Sequence, residues 1–126
     1  MTRLLSICLA GAIGTGTRYL VALWAAQRLG SVFPYGTLIV NIAGCFVVAV
    51  LMEAGMTLGW PPSVRSALTI GFVGGLTTYS SFNYDTLRLL EEGSASAAFA
   101  NVAFTFAGCA VAGWMGLFIA RALFAR

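Results

Sequence analysis

Long apolar segments joined by short polar turns occupy almost the whole of this 126-residue chain. Hydrophobic residues make up 60% of it and charged residues 9%, whereas an ordinary soluble domain is about 25% charged. A helix that spans the hydrocarbon core of a bilayer needs about 20 residues. The apolar segments therefore predict one all-α integral membrane domain, residues 1–126, with four transmembrane helices at about 4–29, 35–56, 64–90 and 96–123.

The first apolar segment and the arginines leave the orientation of the chain open. Arg3 precedes an apolar run that continues to Leu29, which is too long for a signal peptide, so we expect an uncleaved first span. Four spans place both termini on one side of the membrane. That side collects Arg3, Arg65, Arg121 and Arg126, and the other side collects Arg28 and Arg88, together with Arg18 if its side chain reaches that interface. Orientation follows such a bias, and this one is small enough for insertion in both directions.

Cysteine and histidine usage argues against cross-links and side-chain metal sites. The three cysteines, Cys8, Cys45 and Cys109, lie in three different apolar segments, and the chain contains no histidine. We therefore expect these cysteines to act as small packing residues.

A run of glycine, hydroxyl and aromatic residues, GFVGGLTTYSSFNYD at 71–85, interrupts the third apolar segment. At membrane depth, an opened backbone is tolerated only where it is buried in protein or lines a watery cavity. The paired glycines Gly74 and Gly75 precede four hydroxyl residues within the next six positions. This pattern predicts a third helix that is broken at residues 74–78, with free backbone groups that face something other than lipid.

Polar residues recur at helical spacing in three of the four spans. Residues at i, i+4 and i+8 lie on one face of a helix. A single amide such as Asn41 could equally form an interhelical hydrogen bond, but three stripes together indicate a pathway more than unrelated packing contacts. The stripes are Thr37, Asn41 and Cys45; Thr77, Ser81 and Asp85; and Asn101, Thr105 and Cys109.

Arg18 lies well inside the first span. An arginine within a membrane is a functional candidate, although its long side chain could reach the nearer interface. We favour structural anchoring, of a loop or a subunit contact, over direct handling of an ion.

Tyr79 and Phe82 lie three positions apart and share a stripe beside the hydroxyl track. An aromatic pair at this spacing usually belongs to a core. Next to a broken backbone, however, the positive edges of the two rings could face an anion.

Taken together, these residues resemble the Fluc (CrcB-type) fluoride channels. The resemblance covers nearly the whole chain. It is carried by GAIGTGTRY at 11–19, GTLIVN at 36–41 and GFVGGLTTYSSF at 71–82, in matching order and spacing.

The resemblance implies a passive, fluoride-selective channel that exports fluoride across the inner membrane of a bacterial cell and relieves fluoride toxicity. It implies an antiparallel, dual-topology homodimer with two pores. It also implies one structural Na⁺ on the dimer axis, held by the backbone carbonyls of Gly74 and Thr77 from both subunits. The residues that it assigns to the fluoride pathway are Asn41, Tyr79, Phe82, Ser80, Ser81 and Thr37.

The chain departs from the usual family pattern at four positions. Tyr79 stands where phenylalanine is usual, and Ser81 takes the second place of a usual Ser-Thr pair. Cys109 replaces a common serine and is a weaker donor, and Asp85 replaces glutamate. These departures leave the conduction rate and the positions of the ions open.

The donor chemistry agrees with this assignment and excludes other classes. Fluoride holds water strongly, so a pore must replace its hydration with closely spaced donors. Amide and hydroxyl groups can do so without trapping the anion. The chain has no histidine, no lysine and no paired carboxylates inside its spans, so we expect neither an enzyme nor a nucleic-acid partner.

Two other functions are alternatives to a fluoride channel. A small multidrug-resistance transporter is also a four-span dual-topology dimer, but it needs a carboxylate in its first span. That span has none here, and Glu53 lies near the end of the second. A non-transporting assembly subunit would explain the small-residue faces but not the hydroxyl and aromatic run. Retention of Asn41, the aromatic pair and the break in one chain favours a homodimer over pairing with a related chain.

Overall fold

The computed structural model describes residues 1–124, which form four spans and contain no β-strand. Helix α1 covers Thr2–Leu29, α2 covers Tyr35–Thr57, and the last helix, α6, covers Ala95–Phe124. The third span runs from Pro62 to Glu91 in several parts. Every span begins and ends within two residues of the position expected from the sequence. Arg126, counted above among the arginines, lies outside the described residues.

Within the described residues, three helices are long and apolar enough to cross a membrane unbroken, namely α1, α2 and α6. The third span crosses only as the sum of its parts. Because 88% of the described residues are helical and no strand is present among them, the prediction of an all-α integral membrane protein with a broken third span is confirmed.

The third span changes its helical form before it breaks. It consists of α3 (Pro62–Ser66), a π-helical segment (Ala67–Val73), a single turn α4 (Gly74–Leu76) and, after the break, α5 (Tyr79–Glu91). A π-helix is rare and is found mostly as single turns, frequently at functional sites. The spacing of residues in the sequence gives no sign of this π-helical segment.

The break itself is confined to Thr77 and Thr78, whose backbones are extended with ψ of 155° and 114°. Gly74 and Gly75 remain helical, so the break is shorter than the predicted 74–78. The turn at Gly74 and Gly75 stays helical because it packs closely against α1. A Cβ on Gly75 would be 2.5 Å from the Gly11 carbonyl. Gly75 therefore serves close helix approach, and the two threonines open the backbone.

Two helix pairs hold the bundle together. Helix α1 packs along the π-helical segment and α4, with Gly14 directly beside the carbonyl of Phe72. Helix α2 makes its most extensive contact with α6, where Gly116 lies against the carbonyl of Phe46. Small residues let helix backbones approach closely in membrane proteins, and this packing positions the break between α1 on one side and α2 on the other.

Candidate functional site

An open cleft of about 700 Å³ lies beside the break, with walls from α2, the third span and α6. Each of the three predicted polar stripes contributes to it. The polar and sulfur-bearing lining residues are Asn41, Cys45, Thr69, Thr77, Thr78, Tyr79, Thr105 and Cys109. No lining residue carries a charge. The structure therefore brings residues of all three stripes, but no complete stripe, to one uncharged cavity.

Asn41 binds both backbone groups of Thr78. Its Nδ2 donates to the Thr78 carbonyl at 3.1 Å, and its Oδ1 accepts from the Thr78 N–H at 2.8 Å. The side chain is only 7% exposed. An opened backbone that finds no partner in a membrane costs several kcal/mol. The Asn41 side chain avoids this cost at Thr78, because it supplies hydrogen-bond partners for the Thr78 N–H and carbonyl. The amide has two N–H donors, and the second is not used in this pair.

Thr78 also starts the helix that follows the break. Its Oγ1 accepts from the Ser81 N–H at 3.2 Å, the N-cap hydrogen bond of α5. Thr78 was not singled out from the sequence as a site residue. A hydroxyl residue immediately before a helical segment is the usual N-cap signal, and that signal could have identified it.

Two carbonyls at the break lose their usual helical donors. In an α-helix, each carbonyl accepts from the N–H four residues later. The Thr78 N–H goes to Asn41 and the Ser81 N–H goes to Thr78 Oγ1, so the carbonyls of Gly74 and Thr77 lack these partners. They are the two carbonyls that the resemblance assigns to Na⁺. Oxygen ligands suit such a hard cation, and residues 1–124 contain no cluster of three acidic, Cys or His side chains that could bind a metal instead.

Arg18 ties α1 to the same turn. Its Nε donates to the Gly75 carbonyl at 3.0 Å, which supplies the donor that the break removes from that carbonyl. This hydrogen bond joins the first span to the turn before the break, and the anchoring role of Arg18 stays a prediction.

The aromatic pair forms one wall of the cleft. The rings of Tyr79 and Phe82 have centroids 5.6 Å apart and are tilted by 50°. Phe82 is 5% exposed and meets Phe106 of α6 edge to face, at 6.1 Å and 73°. Tyr79 is 73% exposed. Phe82 is thus fixed by packing, whereas the Tyr79 ring stands at the open side.

The remaining predicted residues lie on the other side of the break. A smaller cavity of about 260 Å³ is lined by Thr37, Ser81, Arg18 and also Thr78, which belongs to both cavities. Ser80 lines neither and lies with its hydroxyl 3.2 Å from Thr78 Oγ1.

The stripe of Thr77, Ser81 and Asp85 is therefore divided, and its prediction as one face was wrong. Thr77 lines the large cleft, Ser81 lines the small cavity, and Asp85 accepts a hydrogen bond from Thr37 Oγ1 at 2.8 Å. The helical spacing that the prediction assumed does not hold across two extended residues, because they change the direction of the side chains that follow.

Two oxygens of the α6 stripe lack hydrogen-bond partners. Asn101 is fully buried, and its Nδ2 donates to Thr86 Oγ1 at 2.9 Å. Within the part of the chain that the structure describes, Asn101 Oδ1 and Thr105 Oγ1 are buried side-chain oxygens without a hydrogen-bond partner. Thr105 lines the large cleft, whereas Asn101 lines neither cavity. A buried polar atom without a partner is costly, so these two oxygens are unsatisfied polar groups in the interior of the protomer.

These features define a class: a multi-pass α-helical membrane protein whose broken span opens its backbone beside an uncharged, mostly apolar cleft that carries a few polar side chains. Broken helices of this kind are found in membrane proteins that move ions or small solutes. A family model described as "CrcB-like protein, Camphor Resistance (CrcB)" matches residues 5–117. The chain belongs to the CrcB-like family, so the resemblance seen in the sequence is confirmed.

Similar proteins from several bacteria match over almost the full chain. A protein of Anaeromyxobacter sp. (strain K) is 47% identical over 96% of this chain and 97% of its own. One from Geobacter sp. (strain M21) is 44% identical over 98% and 100%, and one from Sorangium cellulosum (strain So ce56) is 46% identical over 99% of each chain. All three are named "Fluoride-specific ion channel FluC". Ion channels are not enzymes, which agrees with the expectation from the sequence.

Proposed function

We propose that this protein is a fluoride-selective ion channel that lets fluoride leave the cell passively and so relieves fluoride toxicity. The observation that carries the proposal is the uncharged cleft beside the break, where Asn41, Thr105 and two aromatic rings meet. Full-length relatives at 44–47% identity that are named fluoride-specific channels support the choice of ion. The membrane is proposed to be the inner membrane of a bacterium.

The cleft offers the groups that fluoride needs. The second N–H of Asn41 and the Tyr79 hydroxyl are donors that can replace hydration water. The edges of the Phe82 ring carry partial positive charge. Because no arginine lines the large cleft, an anion would be bound by partial charges and could leave again.

The working unit is proposed to be an antiparallel homodimer with two pores. In a single protomer, the cleft is open, and Tyr79 and Phe106 are 73% and 62% exposed. Backbone groups without partners do not face lipid, and Gly74, an exposed residue whose carbonyl lacks its helical donor, lines this open cleft. A second, inverted copy would cover that face, and the weak arginine bias permits both orientations. Each protomer would then contribute one pore.

The carbonyls of Gly74 and Thr77 from both subunits are proposed to hold one Na⁺ on the dimer axis. The bound cation would supply positive charge to oxygens that have lost their helical donors. Asn41 and Thr78 keep these oxygens free, because they engage the N–H groups of Thr78 and Ser81.

Efflux from liposomes tests the function directly. Purified protein in vesicles loaded with potassium fluoride should release fluoride when valinomycin allows potassium to follow, and vesicles loaded with chloride should keep their anion. A proton-coupled multidrug transporter would move an organic cation instead, and an assembly subunit would move neither. Absence of fluoride release from vesicles with folded protein would reject the proposal.

A further inference from the structure

Two of the three cysteines line the large cleft from neighbouring helices. Cys45 lies on α2 and Cys109 on α6, and both are free and half-buried. Cys8 is exposed on α1 and lines neither cavity.

The packing of the two helices brings these residues near each other. Helices α2 and α6 form the most extensive contact in the bundle. Gly108 lies against the side chain of Ile42, and a Cβ on Gly113 would be 3.8 Å from the Cys45 carbonyl. The stretch of α6 that carries Cys109 thus packs against the stretch of α2 that carries Cys45, and both cysteines line the same cleft.

We propose that Cys45 and Cys109 form a two-thiol binding site for a soft metal ion such as Hg²⁺ in the wall of the cleft. Thiolate ligands select soft metals, and Hg²⁺ is satisfied by two sulfur ligands in a linear arrangement. A structural zinc ion usually requires four ligands. Residues 1–124 hold no group of three or more acidic, Cys or His side chains at any one place, so a two-coordinate ion suits this pair and a four-coordinate one does not.

The reaction needs no oxidant or reductant. Two S–Hg bonds form, two S–H bonds break, and two protons leave to solvent, as metal binding to thiols generally requires. Two thiolates and one divalent cation make a neutral group. Because the cleft holds no charged side chain and a buried net charge is costly, neutrality favours this complex over a singly bound cationic one.

The position of the pair gives the site a consequence for transport. Cys45 lies one helical turn after Asn41, and Cys109 lies one turn after Thr105, and all four residues line the same cleft. A metal ion between the two sulfurs would join α2 to α6 beside these donors and narrow the space in front of them. This consequence, unlike the site itself, rests on the proposed fluoride pathway.

Mercury binding tests the site without reference to conduction. The two-thiol protein carries Cys8→Ser and keeps Cys45 and Cys109. Each single-thiol control carries in addition Cys45→Ser or Cys109→Ser. Alanine replaces serine in any variant that does not fold. After treatment with mercuric chloride and then excess glutathione, we expect one mercury per protomer in the two-thiol protein, with both thiols protected from N-ethylmaleimide. Each single-thiol control should lose its mercury to glutathione. Equal loss from all three proteins, or two mercury ions per protomer, would overturn the site.

Fluoride efflux tests the consequence. In vesicles with the Cys8→Ser protein, mercury should abolish fluoride release, whereas each single-thiol control should keep its own rate after the glutathione wash. Unchanged release from protein that has retained mercury would overturn the placement of the pair on the pathway. If untreated protein releases no fluoride, the proposed function fails, and the mercury count still decides the site.

Discussion

The side chain of Asn41 on α2 hydrogen-bonds to both the N–H and the carbonyl of Thr78, at 2.8 and 3.1 Å. One amide thus takes the place of two helical partners at the point where the third span opens. Because the Thr78 N–H donates to Asn41, the Gly74 carbonyl lacks the donor that it would have in a continuous α-helix. The same contact therefore stabilises the break and exposes an oxygen.

Replacing this amide should weaken the break. Asn41→Asp keeps an acceptor for the Thr78 N–H but removes the donor to its carbonyl, so we expect a folded dimer that is destabilised by about 1–3 kcal/mol. Thermal unfolding in detergent, followed by size-exclusion chromatography, measures this. The control is Asn83→Asp, at an exposed amide of α5, which should unfold like the parent. Equal stability of the two variants would argue against the role of Asn41 as a backbone partner.

The aromatic wall should matter for its ring edges more than for its bulk. Phe82→Ile keeps a large apolar side chain but removes the positive edge, so fluoride efflux should fall sharply. Tyr79→Phe should be mild, because it restores the usual residue of the family. Phe104→Ile, at a 60% exposed residue of α6 outside the cleft, serves as the control. Efflux from the Phe82→Ile protein at the parental rate would place the pathway elsewhere.

The turn before the break should tolerate loss of a side chain better than an added one. A Cβ on Gly75 would be 2.5 Å from the Gly11 carbonyl, so Gly75→Val should separate α1 from α4 and prevent assembly. Overpacking typically costs about 1–3 kcal/mol, occasionally more. Thr77→Ala loses a hydroxyl that donates to the Val73 carbonyl and a methyl group that lies against Gly44, adds no atom to the packing, and should assemble.

Size-exclusion chromatography of the purified proteins distinguishes these two outcomes. Gly16→Val is the matched control, since a Cβ there meets nothing within 4 Å. If Gly75→Val and Thr77→Ala were tolerated equally, the backbone-built site would lose its support.

The antiparallel dimer predicts termini on both faces of the membrane. Single cysteines placed near each terminus of a cysteine-free protein should be labelled by an impermeant maleimide from either side of the membrane. About half of each population should react from outside, because inverted copies pair one to one. Labelling from one side only would exclude dual topology.

The sequence predicts the spans well because length and apolar character alone define a membrane helix. It predicts the break less well, because a glycine that opens the backbone and a glycine that permits close helix packing look alike in a sequence. Gly75 permits contact with a carbonyl 64 positions earlier, at Gly11, and nothing local shows this. The opening falls instead at Thr77 and Thr78, where the backbone donors and acceptors have partners on α2 and in the Thr78 side chain.

Which residues line the same cavity could be predicted within regular helices but not across the break in the third span. On α2 and α6, spacing of four residues correctly placed Asn41 with Cys45 and Thr105 with Cys109 on one cleft. Across the break the same spacing failed, and Thr77 and Ser81 line different cavities. The two hydrogen bonds between Asn41 and Thr78 could not be predicted from the sequence, because they depend on how α2 and the third span pack.

Fluoride efflux from vesicles that contain the parent protein or Asn41→Asp tests most directly whether the cleft is the fluoride pathway. The carboxylate removes a donor and adds a charge that repels anions, and repulsion is strong where the dielectric constant is low. A fluoride electrode should record rapid release with the parent and with Asn83→Asp, and none with Asn41→Asp, when equal amounts of folded dimer are present. Release from Asn41→Asp vesicles at the parental rate would contradict the assignment of the cleft as the fluoride pathway.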